Sequence, residues 1–170
     1  LDWTIGFLER KGDENPRLSA EWLMSEATGL SRIELYMNFE RPLTLDERAT
    51  LRDFVARRGK GEPLQLISGK VPFRYITVLV APNVLIPRPE TEVLVSEAFA
   101  ELKLPRVADH VAAGENGEEV VSPELPELRV VDLCTGSGCI ACSIASEYPA
   151  AHVVALDIAP EALALAGKNV

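Results

Sequence analysis

The chain has 170 residues, enough for one ordinary domain or for a small domain joined to part of another, and its 47% apolar and 25% charged residues exclude global disorder. Its formal net charge of −9, without a dense lysine and arginine cluster, excludes a nucleic-acid footprint. No run of about 18 apolar residues occurs, and "LDWTIGFLERKG" lacks the basic start and long apolar stretch of a signal peptide, so a soluble, cytoplasmic protein with no membrane partner is expected.

Residues 1–66 read as a helical domain, because apolar positions recur at helical spacing. Ser31 with Glu34, and Thr44 with Glu47, have the three-residue offset of capping boxes, in which hydroxyl and carboxylate satisfy orphan amides at a helix start. Trp22, Leu23, Leu30, Leu35, Leu45, Leu51, Phe54 and Val55 are the expected core. "RRGKG" at 57–61 reads as a basic helix end capped by Gly59 or Gly61.

Residues 67–87 contain "VPFRYITVLVAPNVLIP", rich in β-branched and aromatic residues and broken by prolines, which predicts two short strands in a hairpin linker. "RPETEVLVSEAFAEL" at 88–102 predicts a helix with prolines and acids in its first turn. Residues 105–128 are acidic, aperiodic and bear Pro and Gly, so a flexible loop is expected. From 129 the pattern runs strand, "TGSG" loop, helix, strand, helix, which is the start of an α/β parallel sheet with crossover helices. Two such strands make too small a sheet, the chain begins at Leu1, and Val170 falls inside a helical pattern; these features predict a fragment whose sheet continues elsewhere.

All three cysteines lie in "VVDLCTGSGCIACSIA". Cys134, Cys139 and Cys142 have the C-x4-C-x2-C spacing of three plant-type iron-sulfur ligands, but the fourth ligand is missing, so no metal is expected. Cys139 near a helix start is a candidate thiol nucleophile, yet no motif places His110 or His152 as its base. The glycines account for the stretch better. Gly136 and Gly138 join strand to helix, where bare backbone can approach a ligand. Asp157 ends the next strand, where a carboxylate can accept two ribose hydroxyls; it could instead cap the helix starting near Pro160. Gly136, Gly138 and Ala141 also spell G-x-G-x-x-A, the loose dinucleotide fingerprint of an NAD-dependent oxidoreductase. Asp132 just before the loop would repel a pyrophosphate and suit a sulfonium, which favours S-adenosylmethionine over NAD.

With "EPLQLISG" (62–69), "VLIPRPETE" (84–92), "DLCTGSGCIA" (132–141) and "VVALDIAPEALALAGKN" (153–169) in order, the chain resembles the HemK/PrmC family of protein-glutamine N5-methyltransferases. The resemblance implies a Rossmann-like S-adenosylmethionine-dependent methyltransferase sheet, incomplete here and spanning 88–170 as its first part. It also implies that the small all-α domain before it holds class I peptide-chain release factors, whose Gly-Gly-Gln glutamine is methylated. By position, Cys134, Thr135, Gly136, Ser137 and Gly138 match the family's cofactor loop, Asp157 its ribose-binding acid, and Arg88, Glu90 and Thr91 a signature segment beside the cofactor pocket, for which an ion-paired, helix-starting structural role is the alternative. Cys134 stands where the family most often has glycine, so a negative φ is expected there. The family's substrate-gripping Asn-Pro-Pro-Tyr motif is absent, so no catalytic residue is assigned in this chain and the chain by itself is expected to have no methyltransferase activity; the non-enzymatic alternative is a release-factor docking fragment.

Overall fold

The computed structural model describes residues 1–104 and 127–170. The loop expected at 105–128 lies outside the described residues except for its end, where Leu128 already opens a strand. The chain divides into two compact units, Leu1–Gly69 and Lys70–Val170.

The first unit is all helical, with α1 (Asp2–Arg10), α2 (Pro16–Thr28), α3 (Arg32–Met37), α4 (Leu45–Arg58) and α5 (Leu64–Ser68). Both expected capping boxes form. The Glu34 amide donates to Ser31 Oγ at 3.3 Å while Glu34 Oε2 accepts from the Ser31 amide at 2.8 Å, and Thr44 and Glu47 repeat the pattern at 3.2 and 2.8 Å. Each such cap is worth about 1 kcal/mol. Leu8, Ala20, Leu23, Leu51, Val55 and Ile67 form the buried cluster, flanked by Phe54 and Leu64. Leu45 was expected in this core and is 75% exposed instead. It follows the Thr44 cap directly, and the first buried position of α4 is Leu51. The basic pair at the end of α4 is structural: Arg57 pairs with Glu62 at 2.6 Å and Arg58 with Asp13 at 2.7 Å.

The second unit opens with an antiparallel hairpin, β1 (Lys70–Phe73) and β2 (Ile76–Leu79), in which Phe73 faces Ile76 across a two-residue turn at Arg74 and Tyr75. Residues 80–88 run without regular structure because Pro82 and Pro87 lack the amide a ladder needs and Asn83 adopts φ 67°. Then come α6 (Pro89–Glu101), β3 (Leu128–Leu133), α7 (Cys139–Glu147), β4 (Ala151–Leu156) and α8 (Pro160–Asn169). β3 and β4 pair in parallel from Leu128 with Ala151 to Leu133 with Leu156, and α7 is their crossover. Val131, Leu133, Val154 and Leu156 remain about half exposed or more on these strands. A parallel sheet normally buries both faces, so this two-stranded sheet is a partial one among the described residues.

Candidate cofactor site

The site forms where the C-terminal ends of β3 and β4 meet the N-termini of α7 and α8, the edge at which open α/β sheets bind ligands. Strand β3 stops at Leu133, and the backbone reverses through Cys134. Cys134 adopts φ +62°, contrary to the negative value expected from its side chain. The parallel ladder holds the residues on either side: Leu133 is paired with Leu156, and the Thr135 amide donates to the Leu156 carbonyl at 2.9 Å. The turn demands the left-handed region whatever residue occupies it, and the thiol side chain is exposed.

Thr135 is buried and donates its hydroxyl to Asp132 Oδ2 at 2.7 Å, so the acid singled out before the loop is held inward, 7% exposed. The Gly136 amide donates to Asp157 Oδ2 at 2.8 Å, and the Ala159 amide donates to Asp157 Oδ1 at 2.9 Å. Asp157 therefore ties the glycine loop to the start of α8. This contains part of the helix-capping alternative, although the N-cap residue itself is Ala159. Each carboxylate oxygen keeps a further lone-pair site for a ligand hydroxyl. Those two amide hydrogen bonds, Ala159 first, hold the Asp157 carboxyl below its ordinary value of 3.8, so it is an anion throughout the neutral range.

The two glycines serve different needs. At Gly136, φ is +56° and a Cβ on this residue would find its nearest neighbour, Val84 Cγ1, 3.9 Å away, which leaves space over the loop for a ligand. At Gly138, φ is +79° and a Cβ would lie 3.0 Å from Ala166 Cβ and 3.2 Å from Ala166 Cα, so α8 packs against bare backbone there. Ser137 is buried, and its carbonyl accepts from Asn169 Nδ2 at 2.8 Å. Asn169 also exchanges hydrogen bonds with the Leu79 backbone at 2.8 and 3.1 Å, which ties the loop to the hairpin. Sequence reasoning missed Asn169, whose only signal was its place at the end of a helical pattern.

The remaining cysteines act as packing groups. Burial pushes both the Cys139 and the Cys142 thiols above the ordinary value of 9.0, opposite to the shift a thiol nucleophile needs. Among the described residues, no group of three His, Cys, Asp or Glu side chains is placed to hold a metal. Arg88 is the N-cap residue of α6, with Glu90 in its first turn, and the Thr91 amide donates to the Arg88 carbonyl at 3.0 Å. This segment enters the neighbourhood of the loop through Val84.

Arg74 is a second residue outside the motifs. From the hairpin turn it forms a bidentate pair with Glu147 of α7, at 2.5 Å from both Nε and Nη2, and its Nη1 donates to the Glu92 carbonyl and to Ser96 on α6. Burial alone would raise the Glu147 carboxyl, but hydrogen bonds from Arg74 and Ser143 overcome this and hold it below the ordinary 4.5. One guanidinium thus links the hairpin, α6 and α7.

Residues 1–69 match the family profile of the PrmC N-terminal domain, and residues 115–170 match that of the methyltransferase small domain. The chain is 46% identical to the release factor glutamine methyltransferase of Geobacter sulfurreducens over 99% of this chain and 52% of the relative. It is 41% identical to that of Rhodopirellula baltica over 100% and 52%, and 39% identical to that of Chlorobaculum tepidum over 99% and 52%. The chain thus spans about half the length of these curated relatives. The glycine loop and Asp157 fall inside the methyltransferase match, which takes G-x-G-x-x-A out of the dinucleotide reading. An all-helical unit that matches the PrmC N-terminal domain, followed by part of a Rossmann-like methyltransferase sheet, makes this chain similar over nearly its whole length to about half of the release factor glutamine methyltransferases of the HemK/PrmC family.

Proposed function

We propose that the protein binds S-adenosylmethionine at the β3–α7 loop and takes part in methylating the glutamine of the Gly-Gly-Gln motif of class I release factors, in the cytoplasm and without direct contact to nucleic acid or membrane. The observation that carries this reading is the Gly136 amide to Asp157 carboxylate contact, which gathers a bare-backbone loop and an ionised acid at one strand edge. In this reading Cys134, Thr135, Gly136, Ser137 and Gly138 line the methionine part of the cofactor and Asp157 receives the ribose hydroxyls. Residues 1–66 hold the release factor, 67–87 connect, and 88–170 begin the methyltransferase domain.

The residues present suit the cofactor. The space over Gly136 admits a ligand against backbone, and the carboxylates of Asp132 and Asp157 give the acidic surroundings a sulfonium favours. S-adenosylmethionine would supply an electrophilic methyl group. The chain's own part is to orient: Asp157 fixes the loop, Thr135 seats Asp132, and Asn169 holds the Ser137 carbonyl. Positioning of this kind can supply about 7–11 kcal/mol of a barrier. The acceptor glutamine needs a polar grip that this chain lacks, because Asn-Pro-Pro-Tyr is absent.

Mass spectrometry of a class I release factor incubated with S-adenosylmethionine tests the proposal. The expected result is one methyl on the Gly-Gly-Gln glutamine with the full-length product of the gene and none with the 170-residue chain. Methylation by the 170-residue chain alone, or equal methylation of a release factor whose glutamine is replaced by alanine, would overturn it.

A further inference from the structure

The helical unit carries an apolar trough of about 410 Å³ between α1 and α4. One wall is aromatic: Trp3 and Phe7, one helical turn apart on α1, stack with ring centroids 5.5 Å apart and planes 11° from parallel. From α4 it is lined by the buried Leu51 and Val55 and by the exposed Arg48 and Arg52, again one turn apart. Trp3 is 69% exposed although it is the largest apolar side chain of the unit's surface, the kind of residue that dominates binding sites when it is covered.

The charges around the trough narrow the occupant. Arg17, Arg32, Arg41, Arg57 and Arg58 of this unit all stand within ion-pair distance of a carboxylate. Among the described residues of this unit, Arg10, Arg48 and Arg52 do not, and of these three Arg48 and Arg52 line the trough, in a chain that carries an excess of acid overall. Two unpaired guanidiniums spaced at i and i+4 beside apolar lining residues complement a helix with carboxylates at i and i+4 next to an apolar stripe. The exposed apolar residues Ile33 and Met37 on α3 are not among the residues lining this trough.

We infer that the α1–α4 trough docks an acidic amphipathic helix of the release factor, with Trp3 and Phe7 as apolar anchors and Arg48 and Arg52 as the charge reader. This rests on the release-factor reading above, which names the partner and leaves its contact face on this unit open. Trp3 and the arginines are exposed, so replacing them removes no core packing.

The test titrates a dye-labelled class I release factor with the full chain as wild type, as Arg48→Glu with Arg52→Glu, as Trp3→Ser, and as a control Ile33→Ser with Met37→Ser, at low and physiological salt. The trough predicts affinity weakened about tenfold or more by the charge reversal and by Trp3→Ser, unchanged by the control, with salt weakening the wild type more than the charge-reversed variant. Equal binding by wild type and the charge-reversed variant overturns the trough and leaves the methylation proposal standing. Binding by none of the four overturns both. A self-associated chain that charge reversal dissociates in gel filtration, with release-factor binding unchanged, overturns it in favour of a second copy as the occupant.

Discussion

Cys134 and Gly138 hold the two ends of the loop for different reasons, and substitution separates them. Cys134 sits at φ +62° with its side chain exposed, so only its backbone is strained. Cys134→Gly is expected to stabilise the fold by about 1 kcal/mol, because glycine enters the left-handed region freely and gives back part of that gain as unfolded-state entropy. Gly138→Ala meets both φ +79° and the Ala166 backbone 3.2 Å away, and backbone cannot step aside. It is expected to cost about 2 kcal/mol or more. Urea unfolding of the two variants checks the pair; a Cys134→Gly that destabilises, or a Gly138→Ala that is neutral, contradicts the loop geometry. The glycine positions and Asp157 were legible because each follows a local rule of strand-to-helix turns. The sign of φ at Cys134 was not, since it is set by the pairing of β3 with β4 and not by the residue's own preference.

At the scale of elements, the Arg74–Glu147 pair decides how the hairpin, α6 and α7 are held. Glu147 is 6% exposed, and it lies at the C-terminal end of α7, where the helix dipole disfavours an anion. Arg74→Ala leaves that buried carboxylate without its cation and is expected to cost about 3–5 kcal/mol at neutral pH. The double replacement Arg74→Met with Glu147→Leu is expected to recover most of the loss. The pH dependence follows from the depressed Glu147 value: its contribution is complete above the ordinary 4.5 and fades as pH falls through the lower folded value. In Arg74→Ala burial is opposed only by the Ser143 hydrogen bond and raises the Glu147 value, so acidification then relieves part of the penalty. Thermal unfolding from about pH 3 to pH 7, the range that spans both ends of a carboxylate titration, separates these slopes; parallel curves for wild type and Arg74→Ala would refute the pair's role. Both capping boxes were legible from residues three apart, whereas this ion pair joins positions far apart in sequence that no local pattern connects. Leu45 shows the same limit in reverse, since helical periodicity marked it apolar but could not tell which face of α4 meets the core.

For the molecule as a whole, the chain holds two compact units with separate architectures. The helical unit has its own core from Leu8 to Ile67, and the second unit carries a two-stranded sheet at whose edge the Gly136 amide is bonded to Asp157. Fold class was legible in the alternation of strand and helix after 129. Legibility stopped at Asn169, whose bridge to Ser137 and Leu79 depends on how α8 packs. The central claim is that the loop from Cys134 to Gly138 and Asp157 is a site for S-adenosylmethionine. Isothermal titration of the chain with S-adenosylmethionine and with NAD, as wild type and as Asp157→Ala, tests it most directly. Binding of S-adenosylmethionine in preference to NAD is expected, weakened about tenfold or more by Asp157→Ala through the loss of charge-assisted hydrogen bonds. Tighter binding of NAD, or S-adenosylmethionine affinity indifferent to Asp157→Ala, would contradict it.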